Sequence, residues 1–173
     1  MAVRSILQLG NPGLRETSGR VRSFGDESVR SSIEDLRDTL ADARQKLGFG
    51  RAIAAPQIGA AIRVLYLYID APLVLINPKI VKRSRKMMML WDDCFSFPDI
   101  LVKVRRNLAV DLLYQDERGR RRTLRAEGPL SELLQHEIDH LDGVLAIDRA
   151  IDSRHIVFRQ EYERWRAECG MAM

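Results

Sequence analysis

Between Asp26 and Leu47 the apolar residues Val29, Ile33, Leu36, Leu40, Ala43 and Leu47 recur at alternating steps of four and three. That is the period of a helix burying one face. Asp26 stands where an N-cap side chain would accept from the first free N–H groups, and Gly48 where the chain can leave helical geometry. The pattern then changes. "GFGRAIAAPQIGA" (48–60) is dominated by small residues, which predicts a tight turn or a close approach of backbone to another group. A phosphate-binding loop is the weaker reading, because no Gly-Lys-Ser/Thr follows.

From Ile62 to Val81 the residues are β-branched and aromatic, interrupted by "DAP" and "NP", which predicts two strands joined by a turn. "MMMLWDDCFSFPDILVKVRR" (87–106) and "LAVDLLYQDERGRRRTLRAEG" (108–128) continue the β character, with a hairpin around Asp116 to Gly119. "GPLSELLQHEIDHLDG" (128–143) reads as a short helix, Pro129 suiting its first turn and Gly143 its end. Ser153 to Cys169 reads as a charged amphipathic helix. Helix, then strands, then helices is the order of an α+β fold rather than of alternating βαβ units.

Composition narrows the class without naming the chemistry. The chain has 173 residues, 46% hydrophobic and 30% charged, as expected of one soluble domain over 1–173. Its first residues contain no apolar run of signal-peptide or membrane-span length. The two cysteines, Cys94 and Cys169, are too few and too far apart for a disulfide framework, and a reducing cytoplasm is the expected location. The net charge of +4 permits an acidic neighbour. The one basic cluster, "RGRRR" at 118–122, reads as a hairpin tip, so specific nucleic-acid binding is not expected.

The chemistry is concentrated in "QHEIDHLDG" (135–143), which holds two of the three histidines. On a helix, His136 and His140 share a face, so both imidazoles can reach one metal ion while Glu137 works on a bound water. Three routes lead to a third ligand. The extended zinc-peptidase motif requires a histidine where this chain has Ala146. A glutamate on a later helix, Glu161 or Glu163, would make an H-E-x-x-H endopeptidase. A thiolate is the third route. Cys94 in "WDDCFSFP" sits between strand-like segments, whereas Cys169, near the end of the chain, reads as an ordinary small apolar residue.

Three stretches in order resemble the peptide deformylase family: "GRAIAAPQ" (50–57), "DDCFS" (92–96) and "QHEIDHLDG" (135–143). They stand against that family's G-x-G-L-A-A-x-Q, E-G-C-L-S and Q-H-E-x-D-H-L. The opening "ILQLGNPGLRETSGRV" extends the likeness over nearly the full chain. The resemblance implies mixed or antiparallel sheets packed around a central HExxH helix, with an N-terminal amphipathic helix and a C-terminal helix. It implies one divalent metal ion, Fe(II) first and Zn or Ni next, on Cys94, His136 and His140. Glu137 would be the general acid/base, and Gln57 with the backbone N–H of Phe95 the oxyanion donors. Ile53, Asp93, Glu132 and Leu133 would face the substrate. The implied reaction removes the N-formyl group from the initiating methionine of nascent peptides and releases formate; the basic charge permits proximity to the ribosome, and no membrane partner is expected.

Several positions depart from the family pattern. Ala52 replaces a glycine, Phe95 a leucine, and Asp92-Asp93 the usual Glu-Gly, Asp92 keeping a charge for a partner such as Arg106. Glu132 and Leu133 lie four and three residues before His136, where the resemblance expects an apolar pocket. A carboxylate there must be paired or turned to solvent. These departures keep a divergent relative, with another N-acyl peptide as substrate or without turnover, as the alternative reading.

Overall fold

The fold is built outward from the periodic segment. In the computed structural model, which describes residues 2–168, it forms α1 (Glu27–Leu47). The Asp26 side chain accepts from the Ser28 N–H, and Gly48 closes the helix at φ 76°. The apolar stripe, from Val29 through Ala43, packs against Ile53, Val64, Tyr66 and Ile76 in one core cluster. Its polar edge holds the start of the chain: Asp35 accepts from the Ala2 N–H and from Arg4 Nε, and Thr39 Oγ1 accepts from the Arg4 N–H.

The strands are β1 (Ala52–Ala54), β2 (Val64–Tyr68), β3 (Pro72–Arg83), β4 (Met87–Asp92), β5 (Ile100–Asn107), β6 (Ala109–Gln115), β7 (Arg121–Glu127) and β8 (Ile156–Phe158). They form a five-stranded sheet in the order β1-β2-β3-β6-β7 and a three-stranded sheet in the order β4-β5-β8. All paired strands run antiparallel. The α+β expectation therefore holds, with antiparallel rather than mixed sheets.

The "DAP" break is the turn between β2 and β3, but "NP" does not end a strand. β3 continues through it as a bulge, and its register against β6 shifts between Ile76 and Lys79. Asn77 takes the left-handed conformation at φ 52°, which asparagine tolerates better than most residues. Its side chain pairs with the Val21 N–H and carbonyl, tying the bulge to the N-terminal segment.

The hairpin at 116–119 forms as expected. Asp116 collects the backbone N–H groups of Arg118 and Arg120 and the side chains of Arg120 and Arg122, so the basic cluster is partly neutralised within its own turn. The C-terminal segment differs from the reading of one helix from Ser153. A short 3-10 turn and β8 come first, because Ile156–Phe158 pairs with the edge of β5, and α3 (Arg159–Glu168 among the described residues) begins only after them. Cys169 lies outside the described residues. No helix among them is long and apolar enough to cross a membrane.

Between the two sheets runs α2 (Pro129–Leu141), which contacts β1, β2 and β7 of the larger sheet and β5 of the smaller. Gly143 closes the loop after it, at φ 72°. A Cβ at that position would stand 2.4 Å from the Arg15 carbonyl oxygen, a backbone atom with little freedom to move. Gly143→Ala is therefore expected to destabilise the protein by more than ~1 kcal/mol through the unfavourable φ and the clash together. Gly25→Ala, at a site with nothing within 4 Å of the added carbon, should stay within about 0.5 kcal/mol of wild type. Urea unfolding of the two variants side by side measures the difference.

Candidate metal centre

Two elements bring the candidate ligands together. α2 presents His136 and His140 one turn apart, with Nε2 atoms 3.1 Å from each other. The turn after β4 delivers Cys94, whose Sγ lies 3.3 Å from His140 Nε2. All three side chains are buried, and their donor atoms lie within 4.8 Å of one another. Bonds of about 2.0–2.1 Å to nitrogen and about 2.3 Å to sulfur at tetrahedral angles separate two nitrogens by ~3.3 Å and a nitrogen from a sulfur by ~3.6 Å. The observed spacings come within a few tenths of an ångström of these, so the donor set fits one small divalent ion. A fourth direction remains for a water or a substrate oxygen.

Hydrogen-bond donors face the sulfur, and a carboxylate backs one of the imidazoles. The Ser96 N–H and Gln57 Nε2 point at Cys94 Sγ, at 3.4 and 3.5 Å. Asp92 Oδ1 stands 2.8 Å from His136 Nδ1, an ion-pair contact that holds the ring with Nε2 toward the other donors. Burial would depress His136, but the Asp92 carboxylate outweighs it and holds the ring well above its usual value. His140 is driven well below its usual value by burial and by His136 beside it. Asp92, Glu132 and His136 form a second cluster of donor atoms. Asp92 is already engaged by Arg106 Nη2 at 3.1 Å, however, and Glu132 by Arg51, which leaves the cysteine-containing set as the better site.

Glu137 follows His136 on the helix and is almost completely buried, with one carboxylate oxygen, Oε2, left without a hydrogen-bond partner. Burial pushes its carboxyl up to about 7; His136 pulls against this, and Glu132 and Asp92 reinforce it. Gln57 is held by its own oxygen, which accepts from the Ala54 N–H at 2.9 Å. That bond aims Nε2 at Cys94 and Ser96. The Phe95 backbone N–H meets no acceptor among the described residues. Phe95 itself stacks on Phe49 and lies against Gly50, where a Cβ would come within 1.9 Å of the ring. This is the close approach expected of the small-residue stretch.

These groups open onto one cleft of about 310 Å³, lined also by Arg51, Ala52, Asp93, Glu132 and Leu133. Asp93 sits at its rim, paired with Arg159 Nη2 at 3.0 Å. Glu132 is buried rather than turned outward, and is paired with Arg51 Nη2 at 2.9 Å. Burial, then Asp92, raises its carboxyl against the pull of His136 and Arg51. Ile53 lies elsewhere, fully buried in the core beneath α1, while its neighbours Arg51 and Ala52 line the cleft. In a short strand alternate side chains take opposite faces, and Ile53 takes the core face. Glu161 and Glu163 line a separate depression with Asp99 and Phe158, and Glu161 pairs with Arg164. They supply no ligand to the histidines. Arg51, Arg149 and Arg159 escaped the sequence reading because each meets an acid distant in sequence.

Residues 3–155 match the family model described as polypeptide deformylase. A peptide deformylase of Dictyoglomus thermophilum is 36% identical over 151 residues, covering 87% of this chain and 94% of the relative. One of Thermomicrobium roseum is 37% identical over 180 residues, covering 98% of each. The crystal structure of peptide deformylase from Thermotoga maritima superposes with a TM-score of 0.81 at 32% identity, covering 88% of this chain and all of that one. That of a Synechococcus elongatus peptide deformylase in complex with actinonin gives 0.79 at 33%, covering 97% and 86%.

Behind the donors, Arg106 is buried between Asp92 and Asp139, and Asp139 also accepts from Arg149. His136 and Arg106 hold Asp92 below the usual carboxylate range despite its burial. Arg106→Met leaves two buried carboxylates short of their cation and should cost ~3–5 kcal/mol. The shift of the urea midpoint measures it. A loss under ~1 kcal/mol would mean that Arg149 and water replace the guanidinium.

Proposed function

The chain belongs to the peptide deformylase family, and from that premise we propose that it hydrolyses the N-formyl group at the start of newly made peptides, releasing formate. N-formylmethionyl peptides are the substrates to which the family likeness points. The observation that carries this reading is the buried Cys94, His136 and His140 set, with the unpartnered carboxylate oxygen of Glu137 in the same cleft. Cys94 and the two imidazoles would hold the metal, and this mixed soft and borderline set suits Fe(II), with Zn(II) or Ni(II) also accommodated. When bound, such an ion acts as a Lewis acid and lowers the pKa of a coordinated water.

The remaining work falls to the protein's own groups. Gln57 Nε2 and the Phe95 N–H donate to the formyl oxygen as it gains negative charge, which binds the transition state more tightly than the planar amide. The Gln57 donor is fixed in advance by its bond to Ala54, so little reorganisation accompanies the reaction. Glu137 takes the proton from the attacking water. It then delivers that proton to the peptide nitrogen as the carbon–nitrogen bond breaks, yielding formate and a free amine. A carboxyl at about 7 can hold or release a proton near neutrality, the condition for both halves of this exchange.

Two substitutions separate ligation from proton transfer. Glu137→Gln should keep its metal and lose ~10²–10⁴-fold in kcat on a formyl-Met-Ala-Ser peptide, since an amide cannot take the water proton. Near-wild-type turnover would assign the base to another group. Cys94→Ala should purify with little metal by elemental analysis, and undiminished metal would remove the thiolate from the ligand set. Gln57→Leu should lower kcat by ~10²–10³-fold as an oxyanion donor is lost; a change confined to KM would place Gln57 in ground-state binding.

A further inference from the structure

Arg51 and Glu132 meet inside the cleft and have no part in the ligand set or the proton transfer. Arg51 Nη2 donates to Glu132 Oε2 at 2.9 Å and Nη1 to the Pro129 carbonyl at 3.3 Å, which docks the guanidinium on the first turn of α2. The Glu132 side chain is 8% exposed and that of Arg51 42%, so the carboxylate is the sunken partner. A carboxylate oxygen of Glu132 lies within 4.8 Å of a ring nitrogen of His136. Its other oxygen, Oε1, receives no hydrogen bond among the described residues. Arg51 and Glu132 line the same cleft as Cys94, His136 and Glu137, so a peptide cleaved there would lie beside the pair.

Resting on the deformylase reading, we infer that the Arg51–Glu132 pair selects the first side chain of the formylated peptide. It favours one that donates a hydrogen bond, as an amide does, over an apolar chain of the same length. Glutamine can donate to Glu132 Oε1 while its carbonyl accepts from the guanidinium. Methionine or norleucine fills the same space but strips water from the pair and returns no donor, leaving a buried acceptor unsatisfied. Formylmethionyl peptides are then still turned over, with a lower kcat/KM. The pair links residues 81 apart in sequence, and replacing both ends together exchanges a polar wall for an apolar one.

The test compares formyl-Gln, formyl-Met and formyl-norleucine peptides, alike beyond the first residue, on wild type and on the Arg51→Ile/Glu132→Ile double variant. The same peptides are titrated calorimetrically into the metal-loaded Glu137→Gln variant, which reports binding without turnover. Wild type should prefer formyl-Gln to formyl-norleucine by about tenfold or more in kcat/KM, because a polar site rejects an isostere that leaves it unpaired. The affinities should follow the same order, and the double variant should reverse it. Equal values, or norleucine preferred by wild type, overturn the inference while leaving the deformylase reading intact. Metal-loaded wild type that turns over none of the peptides overturns both. If the double variant does not fold, the wild-type ratio and the calorimetric order still decide.

Discussion

A helix buried on every side carries polar and ionisable groups, and most of the molecule answers that constraint. Ser131 through Leu141 of α2 are all buried, and seven of these eleven residues are polar or ionisable. Each such group left without a partner would cost more than a hydrogen bond usually contributes. The partners come from the smaller sheet, from the turn after α2 and from the approach to β1. Asn107, at the end of β5, takes Ser131 Oγ and Gln135 Nε2 on its carbonyl and donates its N–H to Gln135 Oε1. Arg106 and Arg149 serve Asp139, Asp92 backs His136, and Arg51 serves Glu132. Without a hydrogen-bond partner on the helix are Glu137 Oε2 and the Nδ1 atoms of His136 and His140, the first of these rings facing Asp92 at 2.8 Å, while the two Nε2 atoms face each other.

This division explains why reactive groups can sit in so dry a place. Asp92, Arg106 and Asp139 back the helix on one side, and the cleft lies on the other. The same burial that raises the Glu137 carboxyl strengthens every hydrogen bond offered to a developing charge. The rim carries its own ion pair, Asp93 with Arg159, and the Arg159 guanidinium lies over the Phe49 ring at 4.7 Å. The C-terminal segment thereby meets the turn that bears Cys94, linking a late element to the candidate metal centre.

Much was legible from residue order. Apolar spacing marked α1, and the i, i+4 histidines with Glu137 marked the reactive face of α2, because helical periodicity is local. The cysteine was legible only through resemblance, since nothing in "WDDCFSFP" alone distinguishes a ligand from a small buried residue. Ser153 onward was misread for a related reason. Ile156–Phe158 becomes a strand because the edge of β5 stands open beside it, and an open edge is a tertiary fact.

Side-chain charges show the boundary most clearly. The sequence alone determined that Glu132 shares a face with His136 and must be paired or exposed, because helix geometry and desolvation are local. Only the tertiary structure decided between the two, by carrying Arg51 on the approach to β1 across to α2. It likewise turned Ile53 to the core and left Ala52 lining the cleft. Which face of a short strand looks inward depends on what packs on it, and α1, arriving from an earlier part of the chain, covers the Ile53 face.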